Sequence, residues 1–560
     1  MYRPPEGVIS SRRIFESVGR EETLEFDYVV IGGGSAGCVM AARLAENTKL
    51  KICLLEAGGA GNGLAIRAPL GLAATVPAFP FFRFANWAFE TEPQPGLNGR
   101  RGYQPRGRGL GGSSAINAML YTRGHPSDYD GWAASGCTGW GWEDVLPFFR
   151  FSERNARGTD AYHGLSGLLQ VGDQKRPRPM SHAFIAAAKE AGHPLNDDFN
   201  GPDQEGVGLY QVTQFFDGPR CGERCSAAAA YIHPRLHWPN LHVITGAHVT
   251  RILFEGRCAV GVEYRSKGAI HSVKTRGEVI LSAGTFGSPQ LLKLSGIGPG
   301  DELSSHGIPV IEDHADVGEN LQDHPDFILN YRTASSESLG YGLRGAWGLM
   351  KEMARWKRSG EGLVASPAAE AGGFLKSDPE LNVPDLQLHF TVGFVDDHAR
   401  KLHPGFGYSG HVCVLRPKSR GHVTLRSADP TASPKIDPQF LAEPDDAARL
   451  HKGATILQAI MRASPLGSYD HGEIYGQDRL EGAALMAAIR QRADTIYHPV
   501  GTCRMGGDTQ SVVDPSLRLR RIENLRIVDA SVMPTLIGGN TNAPTIMIAE
   551  KIAAEMKRGG

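Results

Sequence analysis

The sequence predicts a two-domain α/β protein (α+β by class), in which a unit built on parallel strands is accompanied by a separate antiparallel sheet. Residues 26–56 contain a strand, a glycine-rich turn, a helix and a second strand within about 30 residues, the length of one βαβ unit. Residues 325–490 instead contain short alternating segments separated by Pro and Gly, as antiparallel strands do. The chain of 560 residues is also too long for one ordinary hydrophobic core.

The glycine-rich turn has the spacing of a dinucleotide-binding motif. An apolar run at 26–31 leads into Gly32-x-Gly34-x-x-Gly37, and a helical pattern follows to about residue 46. Gly32 permits a tight turn, Gly34 lets the backbone approach a pyrophosphate, and Gly37 lets the helix pack on the strand. The free N–H groups at the helix N-terminus favour a phosphate. The motif predicts a Rossmann-like nucleotide site, although it does not distinguish FAD from NAD.

An acid follows the second apolar run, which spans residues 51–55. In motifs of this kind an acid at the end of the second strand accepts hydrogen bonds from the adenosine ribose. We therefore predict that Glu56 binds the ribose, and that its charge disfavours the 2′-phosphate of NADP.

A second stretch of small residues lies within residues 105–124. Gly111, Gly112, Ser113 and Ser114 let the backbone press against a flat ligand without interference from side chains. Asn117 and the apolar residues after it are predicted to form a buried helix.

The remaining elements are predicted from apolar patterns and from turn and cap residues. Two strands are predicted in 241–262 around a turn at Glu255-Gly256, and a strand and a helix in 278–298, with the helix opening at Ser288-Pro289. Further strands are predicted at 386–390, 410–415, 421–425 and 524–528, and helices at 446–464 and 480–493. The chain is predicted to end in a C-terminal amphipathic helix with Asn542 as its cap and Pro544 in its first turn.

Composition and charge exclude several classes of function. Lys and Arg number 59 against 60 Asp and Glu, so the chain lacks the basic excess of a nucleic-acid-binding protein. The eight cysteines form no zinc-like pair of CxxC motifs, so no metal site is expected and reduced thiols in a cytoplasmic protein are predicted. Residues 1–25 contain no apolar core of a signal peptide, and no apolar run is long enough for a transmembrane helix. The aromatic and basic loop 78–85 leaves peripheral contact with the inner face of a membrane open.

Several longer motifs occur together and in order along the chain. They are GRGLGGSSAINAMLY at 107–121, GTFGSPQLLKLSGIG at 284–298, VGENLQDHP at 317–325, HPVGTCRMG at 498–506 and NTNAPTIMIAEK at 540–551. With these motifs the sequence resembles the glucose–methanol–choline (GMC) oxidoreductase family from residue 26 to residue 556. The resemblance implies FAD as the cofactor.

The resemblance also implies how the domains are divided. An FAD-binding domain is expected to combine residues 26–155, 225–315 and 496–560, after an N-terminal extension at 1–25. A substrate-binding domain of 156–224 and 316–495 is inserted between these pieces.

The residues that bind FAD are implied in the same way. They are expected to be Gly32, Gly34, Ser35, Ala36, Gly37, Glu56, Ala57, Trp87, Arg106, Gly112, Ser113, Asn117, Ala118, Leu120, Val249, Ala283, Asp529, Ala530, Pro544 and Thr545. Relatives that bind FAD covalently carry a His at the position of Ile116, so FAD is expected to be non-covalent here.

The family's active-site pair falls on His498 and Asn542, with Asn540 as the competing candidate for the second position. An imidazole with a pKa of about 6.5 is suited to accept the proton of an alcohol. An amide can hold the substrate oxygen by donating a hydrogen bond to it. His324 and His125 are the alternative bases. The positive end of the C-terminal helix is expected to favour negative charge on the ligand.

The expected reaction is oxidation of a primary alcohol to its aldehyde by hydride transfer to flavin N5. Electrons would then pass to a quinone or another acceptor that is not oxygen. Two alternatives stay open, namely an oxidase of the same fold that uses O₂ and forms peroxide, and a hydroxynitrile lyase whose flavin is redox-idle. The Pro-Val-Gly-Thr sequence after His498 is closer to the bacterial alcohol dehydrogenase branch than to the choline branch.

Overall fold

The computed structural model describes residues 24–559, so the predicted N-terminal extension lies almost entirely outside the described residues. Within them the strands are β1 Leu24–Ile31, β2 Ile52–Glu56, β3 Phe89–Glu90, β4 Tyr103–Gln104, β5 Glu153–Asn155, β6 Leu169–Val171, β7 Gly206–Leu209, β8 Leu241–Thr245, β9 His248–Glu255, β10 Cys258–Ser266, β11 Ala269–Leu281, β12 Ile297–Gly298, β13 Glu312–Asp313, β14 Pro325–Thr333, β15 Gly340–Tyr341, β16 Ala369–Leu375, β17 Leu386–Thr391, β18 Gly405–Val414, β19 His422–Thr424, β20 Lys435–Asp437, β21 Asp494–Thr495 and β22 Leu525–Ile527. The α-helices are α1 Ser35–Ala45, α2 Leu64–Arg67, α3 Leu72–Thr75, α4 Pro126–Ala134, α5 Trp142–Ser152, α6 Pro179–Glu190, α7 Gly284–Leu294, α8 Gly300–Ser305, α9 Leu343–Ser359, α10 Pro444–Met461, α11 Gly482–Arg492 and α12 Asn542–Gly559.

The first of two seven-stranded sheets contains the predicted βαβ unit. Its order is β8-β2-β1-β11-β10-β9, with β22 paired to β11. The pairs β8–β2, β2–β1, β1–β11 and β11–β22 are parallel, and the register places Val29 beside both Cys53 and Val279. Strand β2 and the segments 29–31 of β1 and 279–281 of β11 are buried and, apart from Glu56, apolar, as parallel strands covered by helices must be. The contiguous core beneath them includes α1 and α12.

The second sheet has the order β21-β14-β18-β17-β16-β7, with β15 paired to β18, and all its pairs are antiparallel. It packs against α6 and α10 in a separate core. The predicted α/β architecture with an inserted antiparallel sheet is therefore confirmed. The strands of each sheet come from the stretches assigned to each domain, and the exact boundaries stay a prediction.

Several predicted elements differ from the observed ones. The predicted helix after Asn117 is wrong: the side chain of Asn117 accepts the N–H of Met119, and Met119 adopts a φ of 62°, which no α-helix allows. Residues 241–262 contain parts of three strands, not two, because Gly246 provides an additional turn at a φ of 70°. Helix α7 begins at Gly284, and Pro289 lies inside it instead of opening it.

Helix α9 was not predicted, because it lies in a stretch assigned to strands. Among the described residues, no helix combines the length and apolarity needed to cross a membrane.

Candidate active site

A cavity of about 420 Å³ lies where the two sheets meet. Its walls include Ile31 and Leu55 at the carboxyl ends of β1 and β2, and His389 and His411 from β17 and β18. Ligands of parallel α/β sheets bind at the carboxyl ends of the strands, so the cavity has the expected position.

Most of the residues predicted to bind the cofactor line this cavity. The lining includes Gly32, Gly34, Ser35, Ala36, Glu56, Ala57, Trp87, Arg106, Gly112, Ser113, Asn117, Ala118, Leu120, Val249, Ala283, Asp529, Ala530 and Thr545, together with His498, Asn540 and Asn542. Gly37 and Pro544 are the two predicted residues that are not part of the lining. The individual contacts with FAD stay predictions.

The three glycines of the first turn have different structural roles. Gly32 has a φ of 92°, which favours glycine, and a Cβ on Gly37 would lie 1.9 Å from the carbonyl oxygen of Gly32. Gly37 therefore serves the packing of α1 on the turn, as predicted. A Cβ on Gly34 would meet no heavy atom nearer than 4.0 Å, so this residue leaves open space at the helix N-terminus.

Glu56 has a structural function that the motif did not reveal. Its carboxylate accepts the backbone N–H groups of Gly33, Gly58 and Gly109 at 2.8, 2.7 and 2.9 Å. Burial raises its pKa, and the three amide bonds oppose that rise by stabilising the charged form. Since two carboxylate oxygens accept about four bonds, one position remains for a ribose hydroxyl.

Two helix N-termini meet beside the cavity. Ser35, at the start of α1, donates its hydroxyl proton to Oδ1 of Asn542, at the start of α12, over 2.8 Å. The positive ends of both helix dipoles are thus directed at the same region. These features fit a dinucleotide whose pyrophosphate lies at the N-terminus of α1 and whose other end approaches α12.

His498 lies at the centre of a chain of hydrogen bonds. The Nε2 atom of His324 lies 2.9 Å from the carbonyl oxygen of Leu415, and its Nδ1 lies 3.0 Å from Nδ1 of His498. A carbonyl only accepts, so Nε2 of His324 carries a proton, and its Nδ1 must accept from Nδ1 of His498. In neutral His498 this leaves Nε2 without a proton and able to accept one.

The residue beside that base is Asn540, and not Asn542 as predicted. The Nδ2 group of Asn540 lies 3.1 Å from Nε2 of His498. Its Oδ1 accepts from Thr122 and Gln387 at 3.1 and 3.0 Å, which fixes the amide with its NH₂ group toward the imidazole. Asn542 instead bonds to Ser35. The sequence left Asn540 as the competing candidate because the two Asn residues are only two positions apart.

Burial controls the protonation of both histidines. It lowers the pKa of His498 well below its ordinary value, and His324, His389 and Arg106 lower it further. Burial also lowers the pKa of His324 to about 3. The prediction of an imidazole that titrates near 6.5 is therefore wrong for His498, which is neutral at pH 7.

Asp323 supports the same loop and was missed by the sequence reasoning, which treated it as part of a polar connector. Its carboxylate accepts the backbone N–H of His498 and of His324, both at 2.9 Å. Burial raises its pKa to about 6, and Arg106 opposes that rise. His125, the other candidate base, caps α4 by accepting the N–H of Ser127 and does not line the cavity.

The part of the cavity beyond His498 is mainly apolar. Its described lining includes Leu339, Val392, Phe394 and Ile496, and also the imidazoles of His389 and His411. Among all described lining residues, Glu56 and Asp529 are the only acids.

Both of those acids are engaged elsewhere. Asp529 accepts from the N–H of Gly284, the hydroxyl of Ser288 and the N–H of Ser531. No carboxylate in the described lining therefore faces the apolar end. In the described chain, no cluster of three or more His, Cys, Asp or Glu side chains could hold a metal ion.

Comparisons with known proteins agree with this arrangement. Two family models described as GMC oxidoreductase match residues 26–326 and 417–549. An alcohol dehydrogenase [acceptor] of Pseudomonas putida is 47% identical over 536 residues, covering 94% of this chain and 95% of the relative. The mitochondrial choline dehydrogenase of Homo sapiens is 41% identical over 558 residues, covering 97% and 92%. A formate oxidase of Aspergillus oryzae RIB40, studied for FAD modification, superimposes with a TM-score of 0.87 at 27% identity, covering 96% of this chain and 99% of that one.

Proposed function

Because this chain belongs to the GMC oxidoreductase family and acts with FAD on CH–OH groups, we propose that it oxidises an uncharged primary alcohol to the aldehyde. The observation that carries the proposal is the unprotonated Nε2 atom of His498, held beside the amide of Asn540 at the cavity wall. We also propose that electrons pass to a quinone or another non-oxygen acceptor, and that the protein works in the cytoplasm, where its eight free cysteines stay reduced.

FAD, when bound, supplies the hydride acceptor. His498 accepts the hydroxyl proton of the alcohol at Nε2, because its Nδ1–H is committed to His324. Asn540 donates from Nδ2 to the substrate oxygen, and Thr122 and Gln387 keep that amide in place. Asp323 holds the backbone of the His498 loop.

The proposal of an uncharged substrate rests on the acids of the lining. A quaternary ammonium alcohol such as choline would leave its charge in an apolar region without a carboxylate to balance it, which is costly. Glu56 and Asp529 instead accept backbone and hydroxyl donors at the nucleotide end.

Anaerobic bleaching of the bound flavin by a panel of alcohols tests the reaction and the substrate class together. We expect uncharged aliphatic or aromatic primary alcohols to bleach the flavin, and choline to be much slower at equal concentration. A flavin that no alcohol bleaches would contradict an oxidoreductase and point to the redox-idle lyase. Re-oxidation of the bleached protein, by O₂ in one sample and by a soluble quinone in another, then distinguishes oxidase from dehydrogenase.

A further inference from the structure

The outer face of α9 carries an apolar stripe that nothing in the described chain covers. Leu343, Trp347, Met350 and Ala354 recur at helical spacing, and the first three are 92%, 60% and 59% exposed. The stripe is about 16 Å long, at 1.5 Å of rise per residue.

The inner face of the same helix is firmly anchored. Trp356 packs with Ala68 and Val364, and its indole N–H donates to the carbonyl oxygen of Gly222 over 2.7 Å. Glu352, the only acid of the helix, accepts the N–H of Leu363 and pairs with Arg178. The orientation of the helix is thus fixed, and its apolar stripe has to face outward.

Cations flank the stripe. Arg344, Lys351 and Arg358 are spaced seven residues apart, so they form a row along one side of it, and all three are exposed. Lys351 places its ammonium group 5.3 Å from the centre of the Trp347 ring. The helix carries five Lys and Arg residues against one acid, whereas the whole chain has a net charge of −1.

A second exposed segment, which is aromatic, lies close in the chain to residues that line the active-site cavity. The 3₁₀ turn Pro80–Ala85 exposes Phe81 by 87% and Phe84 by 63%, with Arg83 between them. Phe81 and Leu343 are the two most exposed large apolar side chains among the described residues.

Both segments continue directly into the cavity wall. Val76 and Pro77, just before the aromatic turn, and Leu339 and Tyr341, just before α9, line the cavity.

We propose that α9 and the turn Pro80–Ala85 form a docking face for an anionic lipid bilayer, with the substrate cavity opening at the membrane surface. Trp, Phe, Leu and Met side chains enter the boundary between headgroups and acyl chains, while flanking Lys and Arg bind anionic headgroups. A second copy of the chain fits this face poorly. A symmetric contact would place the Arg344, Lys351 and Arg358 row close to the same row of its partner, without acids to balance it.

Vesicle flotation of the FAD-loaded protein tests this proposal. We expect it to float with vesicles of phosphatidylcholine containing about one third phosphatidylglycerol, and much less with phosphatidylcholine alone. The variant Leu343→Ser/Trp347→Ser/Met350→Ser should bind the anionic vesicles at least about tenfold more weakly. The variant Arg344→Gln/Lys351→Gln/Arg358→Gln should lose about fivefold for each cation and most of its salt dependence.

The matched control is Ile270→Ser, which removes a 62% exposed apolar side chain from β11 in the other sheet and should leave vesicle binding unchanged. Wild-type protein that fails to float, or a stripe variant that floats as well as wild type, would overturn the proposal. So would a dimer in sedimentation analysis that the stripe variant converts to monomer, because the face would then belong to a second copy.

Bleaching by a short, water-soluble alcohol without vesicles keeps this test separate from the proposed reaction. The stripe variant should bleach at the wild-type rate, since its substitutions lie outside the cavity. If the alcohol fails to bleach the flavin of the wild-type protein, the result contradicts the proposed oxidation and does not bear on membrane docking.

Discussion

The direction of the hydrogen bonds around His498 is set by an atom that cannot donate. The carbonyl oxygen of Leu415 fixes the proton of His324, and His324 in turn fixes the proton of His498. His498, the proposed base, therefore has one defined tautomer before any substrate arrives. Its neutral form costs nothing to maintain at pH 7, since burial already disfavours the charged form.

Replacement of this base should affect chemistry and spare the cofactor. We expect His498→Ala to reduce flavin about 10²–10⁴ times more slowly under saturating alcohol, the usual contribution of a positioned acid–base group. Stopped-flow absorbance measures the rate, and the flavin-to-protein ratio should equal that of wild type. A variant that reduces flavin at the wild-type rate would show that His498 is not the base.

The two asparagines should separate by phenotype. Asn540→Ala should slow flavin reduction by about 10²–10³, because it removes one preorganised donor to the substrate oxygen. Asn542→Ala should chiefly weaken FAD retention, since its partner Ser35 lies at the N-terminus of α1. Parallel measurements of reduction rate and FAD affinity on both variants check the assignment, and a reversed pattern would restore Asn542 as the partner of His498.

At the scale of elements, the turn between β1 and α1 depends on a close approach that only glycine allows. Gly37→Ala should weaken FAD binding by about 1–3 kcal/mol, because its Cβ would overlap the Gly32 carbonyl and displace the helix N-terminus. Gly59→Ala is the control, as a Cβ there meets no atom within 4 Å. Titration of both apo-proteins with FAD measures the two affinities. Equal affinities would show that the close approach of Gly37 to the Gly32 carbonyl is not needed for FAD binding.

The sequence predicted an element correctly where the local spacing of apolar residues is enough to determine whether the segment is a strand or a helix. The βαβ unit, the strands at 386–390 and 410–415 and the C-terminal helix were all recognisable, because apolar spacing decides them. The segment after Asn117 was not, because the side chain of Asn117 there accepts a backbone N–H and holds Arg224 instead of allowing a helix. The choice between Asn540 and Asn542 also depends on contacts with β17 and α1, which lie far away in the chain.

At the scale of the whole molecule, we expect the cavity between the two sheets to hold FAD without a covalent bond. Ile116 lines the cavity at the position where the family resemblance places the His of covalent relatives. Acid precipitation should therefore release all the yellow colour into the supernatant. A coloured pellet would contradict non-covalent binding.

Three buried histidines should make the fold sensitive to mild acid. Burial lowers the pKa of His498 and His389 well below the ordinary value, and that of His324 to about 3. The unfolded chain therefore binds more protons than the folded one once the pH falls below about 6.5, and stability is lost progressively from there downward. Each group should account for about 1.4 kcal/mol of that loss at pH 5.5.

Denaturant unfolding of wild type and His389→Gln at pH 7.5 and 5.5 measures the effect. The variant should lose about 1.4 kcal/mol less stability between these two pH values. His182→Gln, at an exposed position, serves as the control for replacing a histidine by glutamine. An unchanged pH dependence in His389→Gln would show that His389 is not neutral in the folded protein.

The hydrogen bond between Ser35 and Asn542 joins residues that are 507 positions apart. A ribosome adding about 5–20 residues per second needs roughly 25–100 s to pass from one to the other. During that interval the first βαβ unit is already made, while the helix that closes the cofactor site has not been synthesised. We therefore expect stable FAD capture to wait until α12, Asn542–Gly559, has been synthesised and can reach Ser35.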